Sequence, residues 1–466
     1  MNEEQRHMRV SYISDVEGNI SYFKKYVERS KIVSFDKDGN LKLSENGIFV
    51  FGGDIFDKGP GDIRIARLVI NLKRKYPDRC YLLIGNRDAN KLRFTSELSD
   101  DDVENRPLDE VPPIPCVGNK LKPLHFIKEN AHKGYENDKI TRLKWMLKET
   151  LGSPDTFEFR REELAILSGR NDDEISDEEV IASFLESVQE GGFVVEYLKL
   201  AQIGVILHDT LFVHGGVNVE SCGFVPDYKK FRYFDRATGD VVVKSVDDIP
   251  GFLLPENHTV EDWINHLNAF ADDALNHYLQ SPFWQEKDGI WIRGGEALMA
   301  YQSTPATQGR GVIVPTFVDG GKVSKFSEKL VQYLQQSRLS RVIVGHKPVA
   351  DSPLVIRDDG ALEVIMADTS YSDPSSADNR GDAVAEVIVE PDGSALVHGV
   401  LSDGKEYNFI LPAVHEMNTG NLIGKKTKDD FWIKAKLEDQ NLLLVKTEGR
   451  KVTRKYISPH EVKAHL

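Results

Sequence analysis

The chain has 466 residues, 40% hydrophobic and 29% charged, enough for a large core and for more than one unit of structure. A formal charge of −15 argues against a general nucleic-acid binder, which needs a cationic face, but leaves room for a small phosphorylated ligand held by local Arg and Lys. Three cysteines without a CxxC pair, a charged start (MNEEQRHMRV) and no apolar run near the ~18 residues of a membrane span predict a cytoplasmic protein without membrane contact.

In chain order, Val10–Ser14 and Ile48–Phe51 are short apolar runs that end in turn residues, and both predict buried strands. An amphipathic stretch around Tyr22–Val27 predicts a helix between them. Ile63–Leu72 predicts a second helix and Tyr81–Ile84 a third strand. This βαβαβ rhythm predicts a sheet covered by helices, with functional residues at the carboxyl ends of its strands. The rhythm stops after Gly85–Asp88, and the long span to His214 reads as largely helical. Ile140, Leu143, Leu147 and Leu151 share a helix face, with Gly152 as a stop. Ser176 and Glu179 form a capping-box pattern ahead of Val180, Phe184 and Val188. The acidic run Asn171–Glu179 reads as a solvated helix entry, and the Pro-rich Arg106–Pro115 as an irregular loop. The whole segment, about 91–201, is expected to form a helical cap.

Val205–Val213 reads as two strands meeting at His208-Asp209. A second insertion, about 218–334, starts a helix at Thr259 and Asp262, with Trp263, Leu267, Phe270 and Leu275 on its core face. Leu339–Val344 and Leu362–Ala367 predict strands, and Val384–Val389, Asp392-Gly393 and Ala395–Leu401 a hairpin. Beyond Ala413 the chain turns basic. Gly420–Lys428 reads as a linker, and Phe431–Leu437 with Leu442–Lys446 as a small hairpin. Residues 1–412 are therefore expected to form one domain and 413–466 a β-rich appendage.

Five blocks place Asp, Asn or His where an apolar run gives way to polar residues: Ser14–Asn19 (SDVEGN), Gly53–Pro60 (GDIFDKGP), Gly85–Asp88 (GNRD), His214–Gly216 (HGG) and Gly345–Pro348 (GHKP). Hydrolysis of a phosphate ester needs charge neutralised on the phosphoryl oxygens and a water made nucleophilic, and two divalent ions roughly 3.5–4 Å apart do both. Asp54 can bridge such a pair. Asn86, His214 and His346 can complete one site with mixed oxygen and nitrogen ligands, and Asp15 and Glu17 can hold the other. Strand alternation would point Asp15 and Glu17 the same way. Each signal alone is weak, because GD and GN are common and a single buried His is ordinarily a core residue. Their fixed order is what carries the reading.

That order and spacing resemble the calcineurin-like metallophosphoesterases, and more narrowly their phosphoprotein phosphatase branch. Gly53–Asp88 resembles GDxxDRG…GNH, and GHKPV at Gly345–Val349 with IMADTS at Ile365–Ser370 is similar to the GHTP…DTG ending of the bacterial phosphatase and diadenosine tetraphosphatase side. Trp291-Ile292-Arg293 looks like its WxR element. The resemblance implies two mixed sheets flanked by helices. It implies metal ligation by Asp15, Asp54, Asn86, His214 and His346, and phosphate binding by Arg293, with Lys58 standing where the branch has Arg.

Two positions depart from the pattern. Glu17 replaces the His of DxH, which makes the first site oxygen-rich and favours Mn²⁺, with Fe, Mg or Zn as alternatives. Arg87 replaces the His of GNH, the leaving-group acid that pairs with Asp57. An arginine does not deprotonate in a protein, so it can stabilise charge but cannot donate that proton. The expected function is metal-dependent hydrolysis of a phosphate monoester or phosphoanhydride with a good leaving group, on a small molecule, nucleotide or phosphoprotein. The alternative is a catalytically impaired relative that binds metal and a phosphorylated ligand.

Overall fold

A computed structural model describes residues 3–111, 121–319, 322–324, 326–358, 361–369, 382–416, 421–448 and 451–465. Pro112–Pro115, Cys116, Ser370 and Gly420 lie outside these residues.

Two sheets form the body. The first has seven strands, in the order β12-β11-β10-β1-β2-β3-β4. Here β1 is Arg9–Ile13, β2 Gly47–Phe51, β3 Cys80–Leu83, β4 Ala201–Gln202, β10 Val384–Val389, β11 Ala395–Val400 and β12 Glu406–Leu411. The second has five, β8-β9-β7-β6-β5, with β5 Gly204–Leu207, β6 Thr210–Val213, β7 Arg341–Val344, β8 Leu354–Asp358 and β9 Leu362–Met366. Strands β1 to β4 run parallel, β10 to β12 return antiparallel, and β6, β7 and β9 are parallel.

Strand alternation builds the layers. Val10, Tyr12, Ile48, Val50, Leu83, Phe212, Ile343 and Ile365 belong to the apolar cluster between the sheets. Their neighbours Ile13, Phe49, Phe51, Leu82, Val213, Val342, Val344 and Val364 belong to the cluster under the helices. Helix α1 (Ile20–Arg29) is capped by Asn19, whose side chain accepts from the Tyr22 N–H at 2.9 Å. It lays Tyr22, Phe23, Tyr26 and Val27 on the first sheet, beside α2 (Asp62–Lys75).

Between β3 and β4 the described chain is helical. Its longer helices are α3 (Thr156–Ser168), α4 (Asp177–Ser187) and α5 (Phe193–Leu200), and α4 carries the Ser176/Glu179 capping box. The expected face through Leu143, Leu147 and Leu151 is buried, but the α-helix Lys139–Trp145 widens into a π-helical turn at Met146–Thr150 before Gly152, at φ +66°. Helix α6 (Val260–Gln280), with the Thr259 cap, and α7 (Glu328–Gln336) flank the second sheet's side of the molecule.

The C-terminal hairpin carries a third strand: β13 Trp432–Lys436, β14 Leu442–Glu448 and β15 Lys451–Ile457. Sequence reading missed β15 because the three cations of KVTRKYI interrupt its apolar residues. The apolar residues Ile433, Ala435 and Leu442–Val445 join the inter-sheet cluster, so this element shares the main core. The buried Lys434 Nζ donates to the Val349 carbonyl, just beyond GHKP. Among the described residues, no helix is long and apolar enough to cross a membrane.

Candidate metal centre

The loops after β1, β2, β3, β6 and β7 converge at one edge of the sandwich. Asp15 N–H donates to the Gly53 carbonyl at 3.0 Å and Glu17 N–H to the Asp54 carbonyl at 3.0 Å, so the first two loops zip together past the strand ends. Asp15, Glu17, Asp54, Asp57 and His346 have φ of 56°, 46°, 54°, 111° and 66°. Left-handed backbone at non-glycine residues costs on the order of 1–3 kcal/mol each, and such residues concentrate where function demands a geometry. These dihedrals correct one expectation. Asp15 and Glu17 lie beyond β1, and the turn, not strand alternation, brings their carboxylates together.

The approach is close enough to require glycine at two places. A Cβ at Gly85 would fall on the Asp54 carboxylate and backbone, and one at Gly345 on the Ser14 hydroxyl and the Asp15 carboxylate. Asp88, which sequence reading passed over, holds the Asp54 loop from beneath. Its carboxylate accepts the N–H groups of Asp54 (3.0 Å), Ile55 (2.9 Å) and Gly85 (2.7 Å). Burial and the neighbouring Asp54 push the Asp88 carboxyl up to about 7. The final Asp of GNRD, three residues into the short Asn86–Ala89 turn, was the available signal.

Asp54, His214 and His346 present ligand-capable atoms within 4.8 Å of one another, and so do Asp15, Glu17 and Asp54. Asp54 belongs to both groups. Asn86 Oδ1 lies 2.9 Å from His346 Nδ1 and 3.3 Å from His214 Nε2. His214 Nδ1 is 2.8 Å from the Gly52 carbonyl, which turns Nε2 toward Asn86 and Asp54. His346 N–H donates to Asp15 at 3.0 Å, and Ser14 donates to the same carboxylate.

The electrostatics are those of a crowded, buried cluster. Burial, reinforced by Asp368, holds the Asp15 carboxyl well above the ordinary carboxylate range. Burial also acts on Asp54, but His214, Arg87 and His346 outweigh it and hold that carboxyl well below the range. Burial and the charge of His214 press His346 down to about 3, so its imidazole is neutral, as a metal ligand must be. Burial opposes charge on His214 too, but Asp54 and Asp15 overcome it and raise His214 to about 10. A cation at Asp54 would displace that proton. The donor set Asp54, Asn86, His214 and His346 therefore fits a divalent ion in composition and convergence.

Glu17 has other company. Its Oε1 lies 2.9 Å from Arg87 Nε and its Oε2 3.0 Å from Lys58 Nζ. Arg87 Nη1 reaches Asp57 (3.1 Å), Ser153 Oγ (2.8 Å) and the Leu151 carbonyl (3.3 Å), tying the site to the helical segment above it. Lys91, also missed from sequence, donates to Asp57 at 2.8 Å. A cavity of about 220 Å³ adjoins these groups, lined by Asp57, Lys58, Ser153, Thr156 and Phe159 among others.

Arg293 is placed elsewhere. Its side chain is fully buried. Nε donates to Glu296 at 2.5 Å, and Nη1 to Ser96 at 2.6 Å and Glu97 at 2.9 Å, with the guanidinium 4.2 Å from the Trp284 ring centre. Glu97 is shared with Arg93, so the Arg293 guanidinium sits in a buried ion network.

Burial raises the Glu97 carboxyl, but Arg93 and Arg293 outweigh that and hold it down to about 2. A folded value below the ordinary 4.5 means that the pair stabilises the chain above that pH. The contribution is lost as pH falls toward 2, and is on the order of 3 kcal/mol at neutrality. Glu97→Gln is accordingly expected to lower stability to urea at pH 7 and to lie much closer to the parent at pH 3. An equal gap at both pH values would remove Glu97 as the source.

Residues 8–175 match the family described as calcineurin-like phosphoesterase. No curated protein matches the sequence. Among solved structures, the chain is similar to a cold-active protein-tyrosine phosphatase of a psychrophilic Shewanella species, at 16% identity over 88% of this chain and 85% of that one, with a TM-score of 0.43. It is also similar to a protein serine/threonine phosphatase from Saccharomyces cerevisiae, at 13% identity over 90% and 84%, TM-score 0.35. A metallophosphoesterase from Sphaerobacter thermophilus matches at 12% identity over 83% and 84%, TM-score 0.29. The mixed α/β architecture, with two main mixed sheets flanked by helices, is consistent with the fold of the matched family.

Proposed function

With residues 8–175 belonging to the calcineurin-like phosphoesterases, we propose that this chain is a metal-dependent phosphatase whose centre is built on Asp54, Asn86, His214 and His346. The observation that carries the reading is the meeting of these side chains, delivered by separate strand ends, around a carboxylate shared with Asp15 and Glu17. A divalent ion there would supply Lewis-acid charge to a phosphoryl oxygen and lower the pKa of a water; Mn²⁺ is favoured because it accepts the mixed oxygen and imidazole set as well as the neighbouring carboxylates of Asp15 and Glu17. The Asp15–Glu17–Asp54 group is where a second ion of a two-metal centre would sit, in competition with the cations already on Glu17.

The chain's own residues supply the remaining chemistry. The Gly52 carbonyl orients His214, and Asp88 holds the Asp54 loop. Asp57 anchors both Arg87 and Lys91. Arg87 and Lys58 bring positive charge beside Glu17 and Asp54, suited to phosphoryl oxygens. Because Arg87 cannot donate a proton, we propose substrates whose leaving group needs little help, namely aryl phosphate monoesters or phosphoanhydrides. The free Cys80 and Cys222 support a cytoplasmic setting.

Hydrolysis of p-nitrophenyl phosphate by chelator-stripped protein, with Mn²⁺, Mg²⁺, Fe²⁺ and Zn²⁺ restored singly, tests this. Recovery of turnover, greatest with Mn²⁺, is the expected result. No turnover with any ion, in protein that demonstrably binds metal, would support the second reading, a binding protein without turnover. The observation that favours this alternative is the engagement of Arg87 by Glu17, Asp57 and Ser153 together.

A further inference from the structure

The two residues that depart from the family's sequence pattern, Glu17 and Arg87, face each other. Arg87 Nε is 2.9 Å from Glu17 Oε1 and 3.8 Å from Asp54 Oδ2, and Nη1 is 3.1 Å from Asp57 Oδ2. One guanidinium therefore lies among three carboxylates, all of them buried, with its Nε nearer Asp54 Oδ2 while His214 Nε2 lies 3.4 Å from Asp54 Oδ1. We infer that Arg87 takes the place of a second metal ion, so that the centre binds one divalent ion per chain and uses a fixed guanidinium as its other positive charge. This rests on the proposed metal site at Asp54, Asn86, His214 and His346, and extends it.

The chemistry of the two groups makes them a matched pair. A histidine at position 17 would be a neutral ligand for a metal, whereas a glutamate there can neutralise an arginine. An arginine at position 87 removes the need for a metal beside it, because it carries its charge at every accessible pH. The second oxygen of Glu17 is also used, by Lys58 at 3.0 Å, and the engaged oxygen of Asp57 is shared by Lys91 at 2.8 Å. A divalent ion entering among Asp15, Glu17 and Asp54 would have to separate Glu17 from both cations while lying within a few ångströms of them. Like charges in a poorly screened site oppose that strongly. Arg87 is also pinned from outside the cluster, by Ser153 Oγ at 2.8 Å and the Leu151 carbonyl at 3.3 Å, so it is not a loose side chain that an ion could push aside.

The test is the metal stoichiometry of the full chain. Chelator-stripped protein is dialysed to equilibrium against Mn²⁺ and its bound metal is counted by elemental analysis, with electron paramagnetic resonance on the same sample. One Mn²⁺ per chain with the uncoupled six-line signal of an isolated ion is expected. Two ions per chain, or the multiline signal of an exchange-coupled pair, would overturn the inference while leaving metal-dependent hydrolysis standing. No bound metal would overturn both.

Arg87→Ala is expected to admit a second ion, and Arg87→Lys, which keeps a cation there, to remain at one. An Arg87→Ala protein that still binds a single ion would also count against the inference. The spectroscopic result on the unaltered chain decides the matter should either variant fail to fold.

Discussion

Replacing Asp54 by asparagine is expected to abolish metal-stimulated hydrolysis, lowering kcat/KM for an aryl phosphate by about 1,000-fold or more. The size follows from what one shared carboxylate does. Lewis-acid stabilisation by a bound ion is worth several kcal/mol in the transition state, and each ~1.4 kcal/mol is tenfold in rate. Asparagine keeps the shape and can still accept the Arg87 N–H hydrogen bond that Asp54 now takes at 2.7 Å. It removes the charge that raises His214 and that faces Arg87. The variant should therefore remain folded by circular dichroism while losing metal affinity in a calorimetric titration. An Asp54→Asn protein within tenfold of the parent would take Asp54 out of the centre, and with it the site as described.

The largest expected effect on stability lies far from the chemistry, in the second sheet. Arg341 on β7 and Glu363 on β9 are register partners in adjacent parallel strands, and both side chains are fully buried. Arg341 Nε donates to Glu363 Oε1 at 2.6 Å, and Arg357 Nε to its Oε2 at 2.9 Å. Among the described residues, Arg341 Nη1 and Nη2 have no hydrogen-bond partner, so Glu363 is their nearest compensation. Glu363→Gln keeps the volume and takes the charge partner from the buried Arg341 and the partly buried Arg357. Breaking one side of a buried ion pair costs about 3–5 kcal/mol, and a loss of that size in urea unfolding is expected. Removing the fully buried pair with apolar residues, as in Glu363→Leu with Arg341→Met, is expected to recover part of it, since the buried cation leaves with its partner while Arg357 keeps its bond to the Ile423 carbonyl at 2.8 Å. A loss below ~1 kcal/mol in the single variant would mean that water reaches the arginines.

Much of the fold is legible along the chain because its elements announce themselves locally. Val10–Ser14, Ile48–Phe51 and Tyr81–Ile84 correspond to β1, β2 and β3, and the helix start at Thr259 and the capping box at Ser176 and Glu179 are where spacing places them. Strand ends are sharper than an apolar run suggests. Ser14 and Ile84 already belong to the turns, because the backbone must leave the sheet there to bring Asp15 and Asn86 toward Asp54. The third C-terminal strand escaped because three cations interrupt its apolar residues, and it is held by pairing with β14. Asp88 and Lys91 escaped for a different reason: nothing in their own neighbourhood reveals that their partners are Asp54, Ile55 and Asp57.

Sequence alone determined the things that depend on residue type and near spacing. These are the strand and helix rhythm, the order of the five blocks, and the chemical limits on an arginine at position 87 and a glutamate at position 17. Which of these charges meet was decided only by the tertiary structure. Arg293 carries the same charge as Arg87, yet the fold buries it against Glu97 and Glu296 and sets Arg87 between Glu17, Asp54 and Asp57. The physical reason is that Coulomb energy and desolvation depend on distance and burial across loops far apart in the chain, and neither quantity is written in local composition.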